Sequence, residues 1–367
     1  MELTAADVPA LVRGAEVLGS GGGGDARAGG VLVSRLLRGG SVDLLDPDAA
    51  DAADAADPDL LVSAVGMVGA TVVFTEQLPG GGEFTRALDA VQRWTGRWAG
   101  AVASIEAAGL NAATALVTAL SAPARPLPVV DLDLCGRALP RLDQFSLAVA
   151  GSDITPLALA LPGGQVVVVD GGDAVTTERS VRSVLAGGGG WAAIAVGPRP
   201  LRALRRHALA GTTRRLLDVG RRLLALPDAP GPAAVAAAAG GTVLASGRVL
   251  EVVRHRGAGQ GGFGRGSLVV RDRATSALLR LEMENEYLLA LVDGEVVATT
   301  PDVLAVLDRR AARPVSCDRV RRGDDVVVLR LDAPAFWRDP ARLGAVGPRA
   351  FGYDVDPVLV PASGVRA

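Results

Sequence analysis

Three short segments carry residue types that can move protons or hold polar ligands. Ile105-Glu106-Ala107-Ala108-Gly109-Leu110-Asn111 supplies a carboxylate and an amide. Asp131-Leu132-Asp133-Leu134-Cys135-Gly136-Arg137 supplies two more carboxylates, a thiol and a guanidinium. Gly66-Met67-Val68-Gly69 sets a methionine between glycines. Each follows an apolar run, at 60–65, 101–105 or 128–131, that reads as a strand buried on both faces. Open parallel sheets bind ligands at the carboxyl ends of their strands, so these groups are expected on one sheet edge. A carboxylate there can serve as a general base. It can also simply cap a loop, and for Asp133 and Glu106 both readings stand. Cys135 reads as a nucleophile or as a small buried hydrophobe.

A fourth segment, Gly19-Ser20-Gly21-Gly22-Gly23-Gly24-Asp25, satisfies G-x-G-x-x-G literally, and Asp46 lies about 20 residues further on, as in a dinucleotide fingerprint. That fingerprint must follow a strand, whereas Val8, Leu11, Val12, Ala15 and Leu18 have helical spacing. Close backbone approach, or N–H groups holding an anionic group, fits the loop better. Three polar clusters stand in the second half. Glu282, Glu284, Asn285 and Glu286 interrupt a strand-like run, and alternation puts Glu284 and Glu286 on one face and Asn285 on the other. Pro301-Asp302 follows a strand. Gly347 to Asp354, with Arg349, Phe351 and Tyr353, reads either as a loop over a pocket or as a turn-rich connector.

The inventory narrows the chemistry. The 367 residues contain no lysine, so all 38 basic residues are arginine. This removes Schiff-base, pyridoxal and P-loop lysine chemistry. There are two histidines, His207 and His255, and two cysteines, Cys135 and Cys317. A closed His/Cys zinc site would need nearly all of them to converge. Both histidines sit among arginines and read as solvated. A net charge of −2 and 3% aromatic content leave no footprint for nucleic acid. No apolar run reaches the length of a membrane span, and two distant cysteines make no disulfide framework. The N-terminus shows no basic signal-peptide region, so the expected compartment is the cytoplasm.

Positioning these groups requires an α/β domain with a mainly parallel sheet, because helices near 8–18, 31–37, 83–97 and 110–122 alternate with strands. The Asp/Ala-rich segment 46–59 reads as a solvated loop. The N-terminal domain is expected over 1–165. The C-terminal domain, 166–367, opens with an α/β connecting segment, 166–226, packed on the first. After a Pro/Ala/Gly-rich stretch near 227–241 comes a barrel-like all-β module over 240–362.

Several of these motifs together resemble the S-methyl-thiohydantoin desulfurase family. They are Leu18 to Asp25, Val65 to Ala70, Ile105-Glu106 with Gly109 to Asn111, and Asp131 to Asp133 with Gly136 to Ala138 and Pro140. Glu282 to Tyr287, Asp293-Gly294, Thr300 to Asp302 and Gly347 to Asp354 are similar to its C-terminal domain. Two departures stand out. Leu134-Cys135 replaces a common Gly-Met pair, so Cys135 is no family-wide nucleophile. Leu209 to Thr212 keeps only the Gly-Thr end of an Ile-Pro-Gly-Thr pattern.

The resemblance implies hydrolysis of a 5-substituted thiohydantoin, S-methylated or free, to a hydantoin by water attack at ring C2. Asp133 is expected as base, with Glu106 second. Asn111 would hold a ring amide or carbonyl, and Arg137 a substrate carboxylate. N–H groups of Gly22, Gly23 and Gly24 would face the ring oxygen. Asp25, Met67, Asn285, Asp302 and Tyr353 complete the expected binding set. Alternative mechanisms use Cys135 as nucleophile, or a divalent metal such as zinc on Asp131, Asp133, Glu106 or Cys135, with His207. A small-molecule substrate, a homo-oligomer and association with a hydantoinase are the expected partners, without nucleic acid or membrane. A regulatory partner of a hydantoinase and a nucleotide-binding enzyme using Gly19 to Gly24 are the alternative functions.

Overall fold

The computed structural model describes residues 1–48, 57–70, 73, 77, 79–122, 126–255 and 264–359. Residues 49–56, most of the segment expected as a solvated loop, lie outside them. The chain divides into two compact units, Met1–Ala15 with Gly24–Leu217, and Glu16–Gly23 with Asp218–Ala367.

Strands of the first unit are β1 (Glu2–Leu3), β2 (Val42–Leu45), β3 (Leu61–Gly69), β4 (Ala101–Ser104), β5 (Val129–Val130), β6 (Leu132–Asp133), β7 (Leu157–Ala160), β8 (Val166–Val169), β9 (Trp191–Val196), β10 (Arg199–Pro200) and β11 (Leu209–Ala210). The order β1-β2-β5-β4-β3-β9-β7-β8, with β10 beside β3, makes one mixed sheet. Parallel pairing is confined to its core, β2-β5-β4-β3. The other strands join antiparallel, so the expected parallel order forms the core of the sheet, where strands are linked by helical crossovers. The apolar stretch 154–169 is the β7–β8 hairpin, broken where Pro162, Gly163 and Gly164 prevent a continuous strand. The run expected at 128–131 holds β5, and β6 lies just beyond it. β5 belongs to the main sheet, whereas β6 forms a small ladder with β11, Leu132 opposite Ala210 and Asp133 opposite Leu209.

Helices α1 (Val8–Leu18), α2 (Ala26–Leu37), α3 (Gly82–Thr95) and α4 (Asn111–Leu120) fall where helices were expected, and α5 (Ala174–Gly187) and α6 (Thr212–Leu224) lie in the connecting segment. All but the last residue of α4 is buried, as suits a helix apolar on every side. Gly29 lets α2 approach it: a Cβ there would stand 2.6 Å from that of Ala113.

The second unit adds α7 (Pro232–Ala239), a helix inside the stretch read as a boundary, with Pro232 in its first turn and Gly240 closing it at φ 73°. Strands β12 (Gly241–His255), β13 (Arg265–Asp272), β14 (Leu278–Glu284), β15 (Glu286–Val292), β16 (Glu295–Thr299), β17 (Val303–Asp308) and β18 (Asp325–Leu331) follow. They form an antiparallel half-barrel in the order β16-β15-β14-β13-β12-β18-β17. Leu268, Leu281, Leu304 and Val328 lie in its core. The run 278–292 is a tight hairpin reversing at Asn285, whose φ is 64°. Glu284 and Glu286 do share a face, but as directly opposed partners rather than second neighbours on one strand. Among the described residues no helix is long and apolar enough to cross a membrane.

Candidate active site

The expected catalytic residues come together in the first unit, on two loops that leave the carboxyl ends of parallel strands. One leaves β4 and carries Glu106; the other runs on from β5 and carries Asp131, Asp133, Cys135 and Arg137. The loops bind each other reciprocally. Asp133 Oδ2 accepts the Ala107 N–H at 2.6 Å, and Glu106 Oε2 accepts the Leu139 N–H at 3.0 Å. Asp133 Oδ1 also gathers its own loop, accepting from Cys135 N at 2.7 Å and Gly136 N at 2.5 Å.

Burial sets the electrostatics. Asp133 is 0% exposed and Glu106 5%. Burial pushes the Asp133 carboxyl up to about 7, against the backbone N–H donors, which favour its charged form. Burial also raises Asp131, opposed by the N–H of Thr213 and by Arg214. Asp131 Oδ1 accepts the Thr213 N–H at 2.7 Å, and Oδ2 lies 3.6 Å from Arg214. Asp131 therefore holds the N-terminus of α6, where a carboxylate suits the helix dipole.

Asn111 is spent on its own scaffold. Its Oδ1 accepts the Met67 N–H at 2.7 Å and its Nδ2 donates to the Met67 carbonyl at 3.1 Å. The amide thus continues the β3 ladder beyond the end of β4, and Nδ2 lies 3.5 Å from Glu106 Oε1. Gly66 permits this: a Cβ there would meet Ile105 Cγ1 at 2.2 Å and Asn111 Oδ1 at 3.1 Å. Ser104 Oγ accepts the Glu106 N–H at 3.0 Å and lies 2.9 Å from the Asn111 carbonyl. Arg137 is fully enclosed, its Nε donating to the Ala138 carbonyl at 3.1 Å. Cys135 is likewise buried.

The other expected residues have local duties. Asp25 caps α2 through the Arg27 N–H at 3.0 Å. Gly22 donates its N–H to the Gly19 carbonyl at 2.8 Å, and a Cβ on it would lie 2.8 Å from Glu286 Oε1. This part of the loop faces a carboxylate, which corrects its reading as an anion cradle. Gly23 and Gly24 turn the chain at φ 76° and 80°. The loop joins α1 to α2, not a strand to a helix, so the dinucleotide reading loses its context.

In the second unit, Asn285 Nδ2 donates to Glu286 Oε1 at 2.5 Å. Asp302 is buried between Arg330 Nε at 2.7 Å, Arg338 Nη1 at 3.0 Å and the Ala333 N–H at 2.9 Å. The Arg265 guanidinium lies 5.0 Å over the Tyr353 ring and 2.9 Å from Glu284. Among the described residues no three His, Cys, Asp or Glu side chains gather as a metal-binding group, so the four candidate ligands do not converge in that way. His207 is half-buried in a turn and His255 ends β12. Ser104 and Thr213 were missed by sequence reasoning; the Gly211-Thr212 pair was the available signal for Thr213.

These features define a two-unit protein, mixed α/β and antiparallel β, whose first unit carries a buried carboxylate pair at a parallel-strand edge. The chain belongs to the S-Me-THD-like family: its N-terminal domain model matches residues 6–171 and its C-terminal domain model residues 172–360. A crystal structure of a protein from Chromobacterium violaceum has the same fold, with a TM-score of 0.77 over 98% of this chain and 100% of the other at 23% identity. No curated protein matches the chain.

Proposed function

We propose that this protein hydrolyses a 5-substituted S-methyl-thiohydantoin to the hydantoin and methanethiol. The observation that carries this reading is the Glu106–Asp133 pair, built by two loops at the carboxyl ends of parallel strands in a chain of this family. Ring C2 of such a substrate bears two nitrogens and a sulfur and is an amidine-like electrophile. Attack by neutral water needs a base, and departure of the sulfur needs an acid. A carboxyl that titrates near neutrality can do both in turn. Asp133 takes the proton and later returns it. Glu106 braces the Asp133 loop through Leu139 and is the second acid at the edge.

The test is direct. Purified protein is incubated with S-methyl-thiohydantoin propionate while released methanethiol is assayed. Turnover that Asp133→Asn and Glu106→Gln abolish supports the proposal. Absence of turnover, or full activity in both variants, rejects it.

A further inference from the structure

Glu178 stands where a helix normally carries an apolar residue. The buried face of α5 consists of Thr177, Glu178, Val181 and Leu185, and Glu178 is 7% exposed. Its ion-pair partner, Arg182, lies one turn further on. Pairs at this spacing usually occupy the solvent face of a helix and contribute little there. Turning the carboxylate inward costs desolvation unless specific partners meet it.

Those partners belong to the loop that carries Asp133. Glu178 Oε2 accepts the Leu142 N–H at 2.9 Å, and Oε1 accepts from Arg182 Nε at 2.6 Å. Arg182 Nη2 in turn donates to the Pro140 carbonyl. The other end of the same segment reaches the site, where the Leu139 N–H donates to Glu106 Oε2 at 3.0 Å. Leu139 to Leu142 is therefore suspended between two buried carboxylates, Glu106 from the β4 loop and Glu178 from α5. Pro140 stiffens the segment by fixing φ, so a shift at Leu142 is carried to Leu139. Residues 172–360 match the family's C-terminal domain, yet α5 lies in the first compact unit, with the site.

We propose that Glu178 is a positioning residue for Glu106. Together with Arg182 it holds Leu139 to Leu142 so that the Leu139 N–H fixes the Glu106 carboxylate at the sheet edge. The first helix of the family's C-terminal domain thereby completes a site whose reacting groups all lie in the N-terminal one. The consequence for rate rests on the hydrolase reading above; the mechanical coupling of Glu178 to Leu139 does not.

The experiment compares Glu178→Ala, Glu178→Gln, Glu106→Gln and Glu178→Ala combined with Glu106→Gln against wild type. The readouts are methanethiol release and amide hydrogen exchange at Leu139. Val102, whose N–H donates to the Pro128 carbonyl at 3.1 Å, reports opening of the sheet itself. Glu178→Ala should lower kcat about 10- to 10²-fold with KM little changed. Glu178→Gln keeps an acceptor for Leu142 and should fall between that variant and wild type. In the Glu106→Gln background, Glu178→Ala should change the residual kcat by less than about twofold, whereas a purely structural latch would cost the same factor in both backgrounds. Leu139 exchange should quicken about tenfold or more relative to Val102 in Glu178→Ala. Wild-type turnover in Glu178→Ala, additivity with Glu106→Gln, or Leu139 exchange unmoved relative to Val102 overturns the proposal. If Glu178→Ala does not fold, Glu178→Gln decides by the same readouts, with wild-type turnover and exchange in it counting against the proposal. Should wild type release no methanethiol, the hydrolase reading fails by itself, and Leu139 exchange alone then decides whether Glu178 holds the segment that meets Glu106.

Discussion

Glu106 and Asp133 each accept a backbone N–H from the other's loop, at 3.0 Å from Leu139 and 2.6 Å from Ala107. Either carboxylate is thus both a candidate for chemistry and a strut for its partner. Loss of one should disturb the other, and the effects of the two should not add.

Asp133→Asn and Glu106→Gln are therefore each expected to lower kcat by about 10²–10⁴-fold. The double variant should lose far less than the product of the two. Each should also destabilise by about 1–3 kcal/mol, because a buried N–H loses its carboxylate acceptor or meets an amide N–H instead. Steady-state kinetics and urea unfolding check both parts.

The raised Asp133 pKa fixes a sign. In the unfolded chain the carboxyl titrates near 4, and in the fold at about 7. Between those values the folded state binds the extra proton. The stability this group contributes is present below about pH 4 and is lost as pH rises to about 7, at up to about 1.4 kcal/mol per pH unit. Wild type minus Asp133→Asn, followed by denaturant unfolding across this range, should show that slope. Activity should move the other way, kcat/KM rising through about pH 7 as the base ionises.

Asp302 is expected to be a structural residue. It joins buried Arg330 to Arg338, and Asp302→Ala would leave the Arg330 charge enclosed without this carboxylate. A loss of about 3–5 kcal/mol in unfolding free energy is expected, with KM unchanged at temperatures where the variant remains folded.

Gly66→Ala should act on the site without touching a titratable group. The new methyl would collide with Ile105 and crowd the Asn111 amide. A cost of about 1–3 kcal/mol is expected, together with a fall in kcat. An unchanged thermal midpoint would count against this packing.

Cys135→Ser should retain activity within a few-fold, because in the proposed scheme Cys135 serves Asp133 through its backbone N–H, which serine keeps. A covalent adduct trapped on Cys135 would reverse that assignment.

Much of this was legible in the residues themselves. Helical spacing placed α1, α2 and α4, and doubly buried apolar runs placed β3 and β4, because burial periodicity is a local property of the chain. The arrival of Glu106 and Asp133 on one edge followed from strand–helix alternation alone. Which acid meets which backbone group did not. That the Asn111 amide completes β3 and that Asp131 serves α6 are both contacts between residues 44 or more apart in sequence. The reversal at Asn285 was hidden for a related reason. One strand and a hairpin share the same alternation, and only cross-strand pairing tells them apart. Sequence determined the chemical groups available and the elements that carry them. Tertiary structure decided which carboxyls are sealed from water, because burial and hydrogen-bond partners depend on distant segments, and those set where a proton can go.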